Sequence, residues 1–187
     1  MNVLEIFEKT NAFLKGHFKL SSGLHSEGYL QCALVLQYPE YTKALCAELA
    51  KRFKAEKPTV VVAPAIGGIL VSYEVANTLG CRSVFTEREN DAMIFRRGFD
   101  IDASDRVLVV EDVVTTGGST KEVIEAVRQN GAKVIGVGSI IDRSCNVIDF
   151  GVEFKSLLKL DAKTYKPEEC PLCKEGIPVI KPGSRRI

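Results

Sequence analysis

No charge of either sign prevails in this sequence. Its 187 residues carry 25 Lys and Arg against 24 Asp and Glu, a formal net charge of +1. General nucleic-acid binding usually rests on a clear basic excess, so that class loses its first support. Long apolar runs are missing too: residues 60–63, 107–110 and 134–137 fall far short of the roughly 20 a membrane helix needs. The opening segment mixes Glu5, Glu8, Lys9 and Lys15 among its apolar residues, unlike a secretory signal, and a cytoplasmic location is expected. Apolar residues are not scarce, however. At 45% hydrophobic and with so small a net charge, the chain can fill a core, which excludes a disordered polymer. The length suggests one α/β domain: an N-terminal helix and hood over 1–36, a core over 37–162, and an irregular tail over 163–187.

Histidine is scarce, and cysteine pairs are scarcer. His17 and His25 are the only histidines among the 187 residues. Cys32, Cys46, Cys81 and Cys145 sit singly in apolar surroundings, where Cys behaves as a small hydrophobe. Cys170-Pro-Leu-Cys173 alone has metal-ligand or redox spacing. A tetrahedral zinc site needs four ligands, and no second Cys pair exists to complete one. His17 and His25 lie far away along the chain, so no metal is assigned to protein ligands.

The patterning then gives the elements. Asn2 with Glu5 reads as a capping box for a short helix with Leu4, Phe7, Ala12 and Leu14 as its apolar positions. Residues 18–36 read as a hairpin turning at Ser21-Ser22-Gly23. Pro39 opens a helix whose Leu45, Leu49 and Phe53 share a face, ending near Pro58. Buried strands are expected over 59–63, 106–110 and 133–141, with shorter ones over 82–86 and 154–158. Helices follow over 69–79, stopped by Gly80, and from a Ser119/Glu122 capping box to Gly131. Residues 87–98 show no clear period. Strands alternating with helices imply crossovers, hence a parallel sheet with helices on both faces.

The densest chemistry lies at 107–119: four apolar residues, the acids Glu111 and Asp112, Val113 and Val114, then Thr115, Thr116, Gly117, Gly118 and Ser119. The acids fall at the carboxyl end of a buried strand, where open α/β sheets bind ligands. The turn after them offers backbone N–H groups and hydroxyls at a helix start, which favours a phosphate. A ligand with a phosphate at one end and hydroxyls at the other would satisfy both halves. No Gly-Lys-Ser/Thr follows, so this is not a Walker loop.

This strand, acid pair and Thr-Gly loop resemble the signature of the type I phosphoribosyltransferases. The resemblance implies that the loop, residues 115–119, holds the 5′-phosphate of phosphoribosyl pyrophosphate (PRPP), that Val113 and Val114 also line the PRPP site, and that Glu111 and Asp112 hold the ribose hydroxyls. Three further segments resemble the orotate-specific members of that family. Residues 16–26, from Gly16-His17-Phe18-Lys19-Leu20 onwards, resemble their N-terminal segment, with Tyr29 and Leu30 where the family packs against orotate. Ala63-Pro64-Ala65-Ile66-Gly67-Gly68 resembles the pyrophosphate loop, implying PRPP contacts at Ile66 and Gly67. Ile141-Asp142-Arg143 places an Arg where the family pairs one with the orotate carboxylate, beside Thr115, and an Arg fork suits a carboxylate.

The departures are specific. Ser21 stands where many members have Lys, and Lys19, two residues earlier on the same face, could replace it. Gly67 stands where a Lys is common. The lid, usually rich in Lys with a His, is here 87–98, whose cations are Arg88, Arg96 and Arg97. The resemblance implies PRPP contact for Arg88, catalysis by Arg96 and Arg97 together with Glu111 and Asp112, and Mg²⁺ carried mainly on substrate oxygens. It further implies a homodimer sharing its lids, with orotate and PRPP as small-molecule substrates and neither nucleic acid nor membrane as partner. Two alternatives stay open: a purine or other-base transferase, and a PRPP-binding regulator.

Overall fold

The computed structural model describes residues 2–20, 23–160 and 163–181. In chain order the elements are α1 (Val3–Lys9), β1 (Phe13–Lys19), β2 (His25–Leu30), α2 (Ala33–Leu36), α3 (Pro39–Lys51), β3 (Val60–Pro64), α4 (Gly68–Leu79), β4 (Arg82–Glu89) and β5 (Ala92–Phe95). After them come β6 (Arg106–Val114), α5 (Gly118–Gln129), β7 (Lys133–Asp142), β8 (Phe154–Lys159), β9 (Thr164–Tyr165) and α6 (Pro171–Lys174). They fall into two compact units, one of residues 36–160 and one joining 1–35 to 161–187.

The larger unit is a six-stranded sheet in the order β5-β4-β3-β6-β7-β8. All neighbours pair in parallel except β5, an antiparallel edge strand. Period-2 alternation assigns the two faces. Val60, Val62, Val107 and Val109 join Val123, Ile124 and Val127 of α5 in one core. On the opposite face, Leu49 and Phe53 press against β7, where Gly136 and Gly138 leave them room. A Cβ on Gly136 would stand 2.8 Å from the Phe53 ring. Each fully buried Val or Leu contributes roughly 1.5–3 kcal/mol, so these two layers dominate the unit's stability.

The strand order positions the site. From β3 the chain crosses through α4 to β4 on one side; from β6 it crosses through α5 to β7 on the other. The crevice between the carboxyl ends of β3 and β6 is therefore the switch point where such sheets take ligands.

The smaller unit pairs β1, β2 and β9 in a three-stranded antiparallel sheet. Ile180 runs alongside β1 in parallel: its N–H donates to the His17 carbonyl and its carbonyl accepts from the Lys19 N–H, both at 2.8 Å.

Several boundaries differ from expectation. The Asn2 cap holds, with the Glu5 N–H donating to its Oδ1 at 3.3 Å, but α1 stops at Lys9. Ala12 and Leu14 lie beyond it, Leu14 on β1, because strand pairing with β2 outweighs local helical spacing. The Ser21-Ser22 part of the expected turn, and with it the place of Ser21, lies outside the described residues. Gly80 ends α4 as expected, with φ +71°. The stretch 87–98 is ordered as the β4–β5 hairpin, turned by Asn90 and Asp91 at φ 48° and 63°. Two short polar residues that tolerate the left-handed region supply a two-residue hairpin turn. The segment 163–181 carries β9, a 3₁₀ turn and α6 rather than being wholly irregular.

Candidate active site

The acids belong to β6 itself, which runs through to Val114 rather than stopping at Val110. Pairing with β7 continues to Val114 opposite Asp142, so Glu111 and Asp112 are fixed by ladder hydrogen bonds. The Glu111 side chain is buried and that of Asp112 half-buried. Burial pushes the Glu111 carboxyl up to about 9, and the neighbouring Asp112 charge pushes the same way. Burial raises Asp112 as well, opposed by the Val113 N–H donating to its Oδ1 at 2.8 Å. Desolvated carboxyls of this kind gain from hydroxyl donors and positive charge, which favour their ionised forms.

The loop after β3 lies against both acids. A Cβ on Gly67 would stand 2.9 Å from Asp112 Oδ2, and one on Gly68 would meet Ala63 Cβ at 2.7 Å and Glu111 Oε1 at 3.3 Å. Any side chain at 67 would press on the Asp112 carboxylate. Ile66 is exposed at this loop, whose Ala65–Ile66 peptide is cis.

The phosphate loop corrects the expected capping box. Helix α5 begins at Gly118, its N-cap is Gly117 with φ +75°, and no side chain caps it. Glu122 instead accepts from Arg88. Thr115, Thr116, Gly118 and Ser119 are exposed, while Thr116 Oγ1 accepts the Gly118 N–H at 3.4 Å. A first turn without a side-chain cap leaves backbone donors for an anion. Gly117 is required twice over: its φ is left-handed, and a Cβ would stand 3.0 Å from the Phe150 ring.

Arg143 follows β7, and its N–H donates to the Val114 carbonyl at 2.8 Å, which brings it beside the start of the loop at Thr115. Asp142 shapes that turn, its Oδ1 accepting from the Ser144 N–H at 2.8 Å and hydroxyl at 2.6 Å.

Of the three arginines, Arg88 is on β4 and Arg96 and Arg97 directly follow β5, each against a carboxylate. Arg97 makes a fork to Glu87 at 3.0 and 2.8 Å, Arg96 reaches Glu89 at 3.4 Å, and Arg88 pairs with Glu122. Lys19, Tyr29 and Leu30 belong to the other unit, Lys19 exposed at the end of β1 and Tyr29 tilted against Phe18 at 5.7 Å.

Sequence reasoning missed one constellation. His17 and His25, set aside as too distant, stand beside Cys170 and Cys173 in the smaller unit, with ligand atoms within 4.8 Å of one another. The signal was Cys-x-x-Cys; only the strand pairing supplies its partners.

Comparison with known proteins identifies the family. Residues 37–150 match the family model described as phosphoribosyl transferase domain. The chain is 62% identical over 185 residues to an orotate phosphoribosyltransferase of Caldanaerobacter subterraneus subsp. tengcongensis, covering 99% of this chain and 97% of that one. It is 57% identical to that of Thermotoga maritima, covering 99% of each. Among solved structures it resembles the orotate phosphoribosyltransferase of Aeropyrum pernix, with a TM-score of 0.70 and 26% identity over 85% of this chain and 94% of that one. With the acid pair, the uncapped loop and Arg143 at one end of the sheet, and with relatives matching nearly end to end, the chain belongs to the orotate phosphoribosyltransferases of the type I phosphoribosyltransferase family.

Proposed function

We propose that the protein transfers the 5-phosphoribosyl group of PRPP to orotate, giving orotidine 5′-monophosphate and pyrophosphate, a step of pyrimidine (UMP) synthesis, with the residues assigned as follows. The observation that carries the assignment is the acid pair near the carboxyl end of β6, followed six residues after Asp112 by a helix start with no side-chain cap. Residues 115–119 hold the 5′-phosphate, Val113 and Val114 line the PRPP site, and Glu111 and Asp112 hold the ribose hydroxyls. Breaking the anomeric C–O bond builds positive charge on the ribose, and Asp112 is a fixed negative group that stabilises it. Orotate's ring nitrogen, once deprotonated, is already a nucleophile, so the protein's work is positioning and charge stabilisation.

Arg143 pairs with the orotate carboxylate, and Tyr29 and Leu30 pack on the base. Lys19, Ile66, Gly67 and Arg88 contact PRPP, while Arg96 and Arg97 face the departing pyrophosphate. Carboxylate oxygens are hard ligands of the kind that suit Mg²⁺: Glu111 and Asp112 would orient a Mg²⁺ bound mainly to substrate oxygens, which would neutralise the leaving group. The enzyme acts in the cytosol as a homodimer whose lids are shared.

Loss of orotate absorbance, dependent on both PRPP and Mg²⁺, tests the reaction. Asp112→Asn should lower turnover by a factor equivalent to about 2–4 kcal/mol. Undiminished turnover by the folded variant removes Asp112 from the site. Arg143→Ala should weaken orotate binding about ten- to a hundred-fold, the loss of one charged hydrogen-bonding partner, with PRPP binding unchanged. Calorimetry with each ligand separately decides this, and unchanged orotate binding would favour another base.

A further inference from the structure

The smaller unit holds a cluster that the transfer reaction does not use. His17 lies within the irregularity in β1, where the register shifts between Lys15 and Phe18; His25 opens β2. Cys170 and Cys173 flank Pro171-Leu172 where α6 begins, so a single helical turn brings both sulfurs to one side. The side chains of His17, His25 and Cys170 are buried, at 2%, 5% and 0% exposure. Buried imidazoles need defined partners, which makes the surroundings of these two decisive.

His17 Nδ1 lies 2.7 Å from the Ile177 carbonyl, and only a protonated Nδ1 can donate to it. That hydrogen bond leaves the neutral ring with a lone pair on Nε2. Three groups converge on that one lone pair: His25 Nδ1 at 2.8 Å, Cys170 Sγ at 3.5 Å and Cys173 Sγ at 3.7 Å. Cys173 Sγ is also 3.3 Å from His25 Nδ1. Hydrogen bonds serve such a cluster poorly: a His25 Nδ1–H that donates to His17 Nε2 leaves the two thiols facing an occupied lone pair, and without that proton two ring lone pairs face each other at 2.8 Å. A cation at its centre serves all four ligand atoms. Zinc bonds of about 2.0–2.3 Å set tetrahedral edges of about 3.3–3.8 Å, the range of the three sulfur–nitrogen separations. The two nitrogens need to part by only about 0.5 Å to reach it. The Ile177 carbonyl then plays the orienting part that backbone carbonyls play toward metal-bound histidines.

The unit also has reason to need such a staple. Among its described residues the buried apolar side chains are Phe7, Ala12, Phe18, Leu30, Val35 and the cysteines Cys32 and Cys170. So small a core gives limited stability, and scaffolds of this size commonly add a metal or a disulfide. Here it must also hold together two chain segments separated by the whole larger unit.

We propose that His17, His25, Cys170 and Cys173 form a closed, four-ligand structural Zn²⁺ site that fastens the C-terminal segment to the β1–β2 hairpin. Two thiolates and two neutral imidazoles neutralise the dication, and binding releases the two thiol protons to solvent without any change of oxidation state. With four protein ligands, no position is left open for substrate or catalytic water. Soft sulfur donors distinguish it from the oxygen-rich surroundings that suit Mg²⁺.

The test uses the full chain, produced with added zinc and desalted into metal-free buffer under reducing conditions. Elemental analysis should find about one zinc per chain, absent from Cys170→Ser/Cys173→Ser and retained in Cys145→Ser. Because the double variant may fold poorly, the wild type supplies an independent measurement. Replacement of zinc by Co²⁺ should give thiolate-to-cobalt charge-transfer bands and the intense visible bands of tetrahedral cobalt. Chelation should raise amide exchange in 13–30 and 164–180 but not in 106–142, and zinc alone should reverse it. Equal zinc in wild type and double variant overturns the proposal, as does iron in place of zinc. So does a reduced wild type that takes up no zinc, or exchange that chelation leaves unchanged.

Discussion

Glu111 joins stability to function through one proton. Its carboxyl is raised from an ordinary 4.5 to about 9 by burial, with the Asp112 charge adding to it. A carboxyl whose folded value exceeds its unfolded one favours the fold fully below about 4.5, and that contribution is lost as pH rises toward 9. The unliganded protein should therefore lose stability across that window, by on the order of 1–3 kcal/mol at pH 7. Glu111→Gln should flatten the decline and raise Tm at neutral pH while lowering turnover. Thermal melts from pH 5 to 9 check this, and parallel declines in both proteins would contradict it. Gly67→Ala probes the same carboxylates from the opposite side. Its backbone is ordinary helical, so the effect should come from the Cβ placed 2.9 Å from Asp112 Oδ2. Turnover should fall up to about a hundred-fold through misplacement, with little change in the melting curve. The acids and glycines were readable from sequence as residue types. Their mutual contact was not, because it joins positions more than forty residues apart.

Among elements, α5 and the hairpin show how local signals compete. Ser119 and Glu122 have capping-box spacing, yet the helix starts at Gly118 because Gly117 turns the chain left-handed beneath Phe150. Gly117→Ala should cost at least about 1–2 kcal/mol from backbone strain alone and should weaken PRPP binding; urea unfolding and calorimetry measure the two separately. In the hairpin, Asn90-Asp91 is a turn signal of the two-residue kind, concealed in the sequence by a charged, non-alternating stretch. Its arginines form exposed ion pairs, which contribute little to stability. Arg96→Ala with Arg97→Ala should leave Tm nearly unchanged while slowing turnover more than it weakens orotate binding. A large loss with Arg88→Ala alone, and none with the double change, would reassign the lid cations.

For the whole molecule, the proposed dimer has a direct functional test. If each lid serves the neighbouring subunit, Asp112→Asn protomers mixed with Arg96→Ala/Arg97→Ala protomers should regain activity. Half of the randomly exchanged dimers pair one of each, with one intact site of two, so recovery should approach about a quarter of the wild-type rate. No recovery after demonstrated subunit exchange would place each lid over its own site. The family match covers 37–150, essentially the larger unit, whereas the curated relatives match across nearly the whole chain, smaller unit included.

The sequence by itself determined the mostly parallel α/β sheet, the alternation of strands and helices along the chain, and the acid-and-loop motif, because periodicity and turn chemistry act over a few residues. Only the tertiary structure decided the rest. It carried β6 through Glu111 and Asp112, set Gly67 against a carboxylate, and paired every lid arginine. It also brought His17 and His25 to Cys170 and Cys173 across about 150 residues of chain. Such contacts arise from sheet register and from strands paired between the two ends of the chain, and no local pattern in the sequence encodes them.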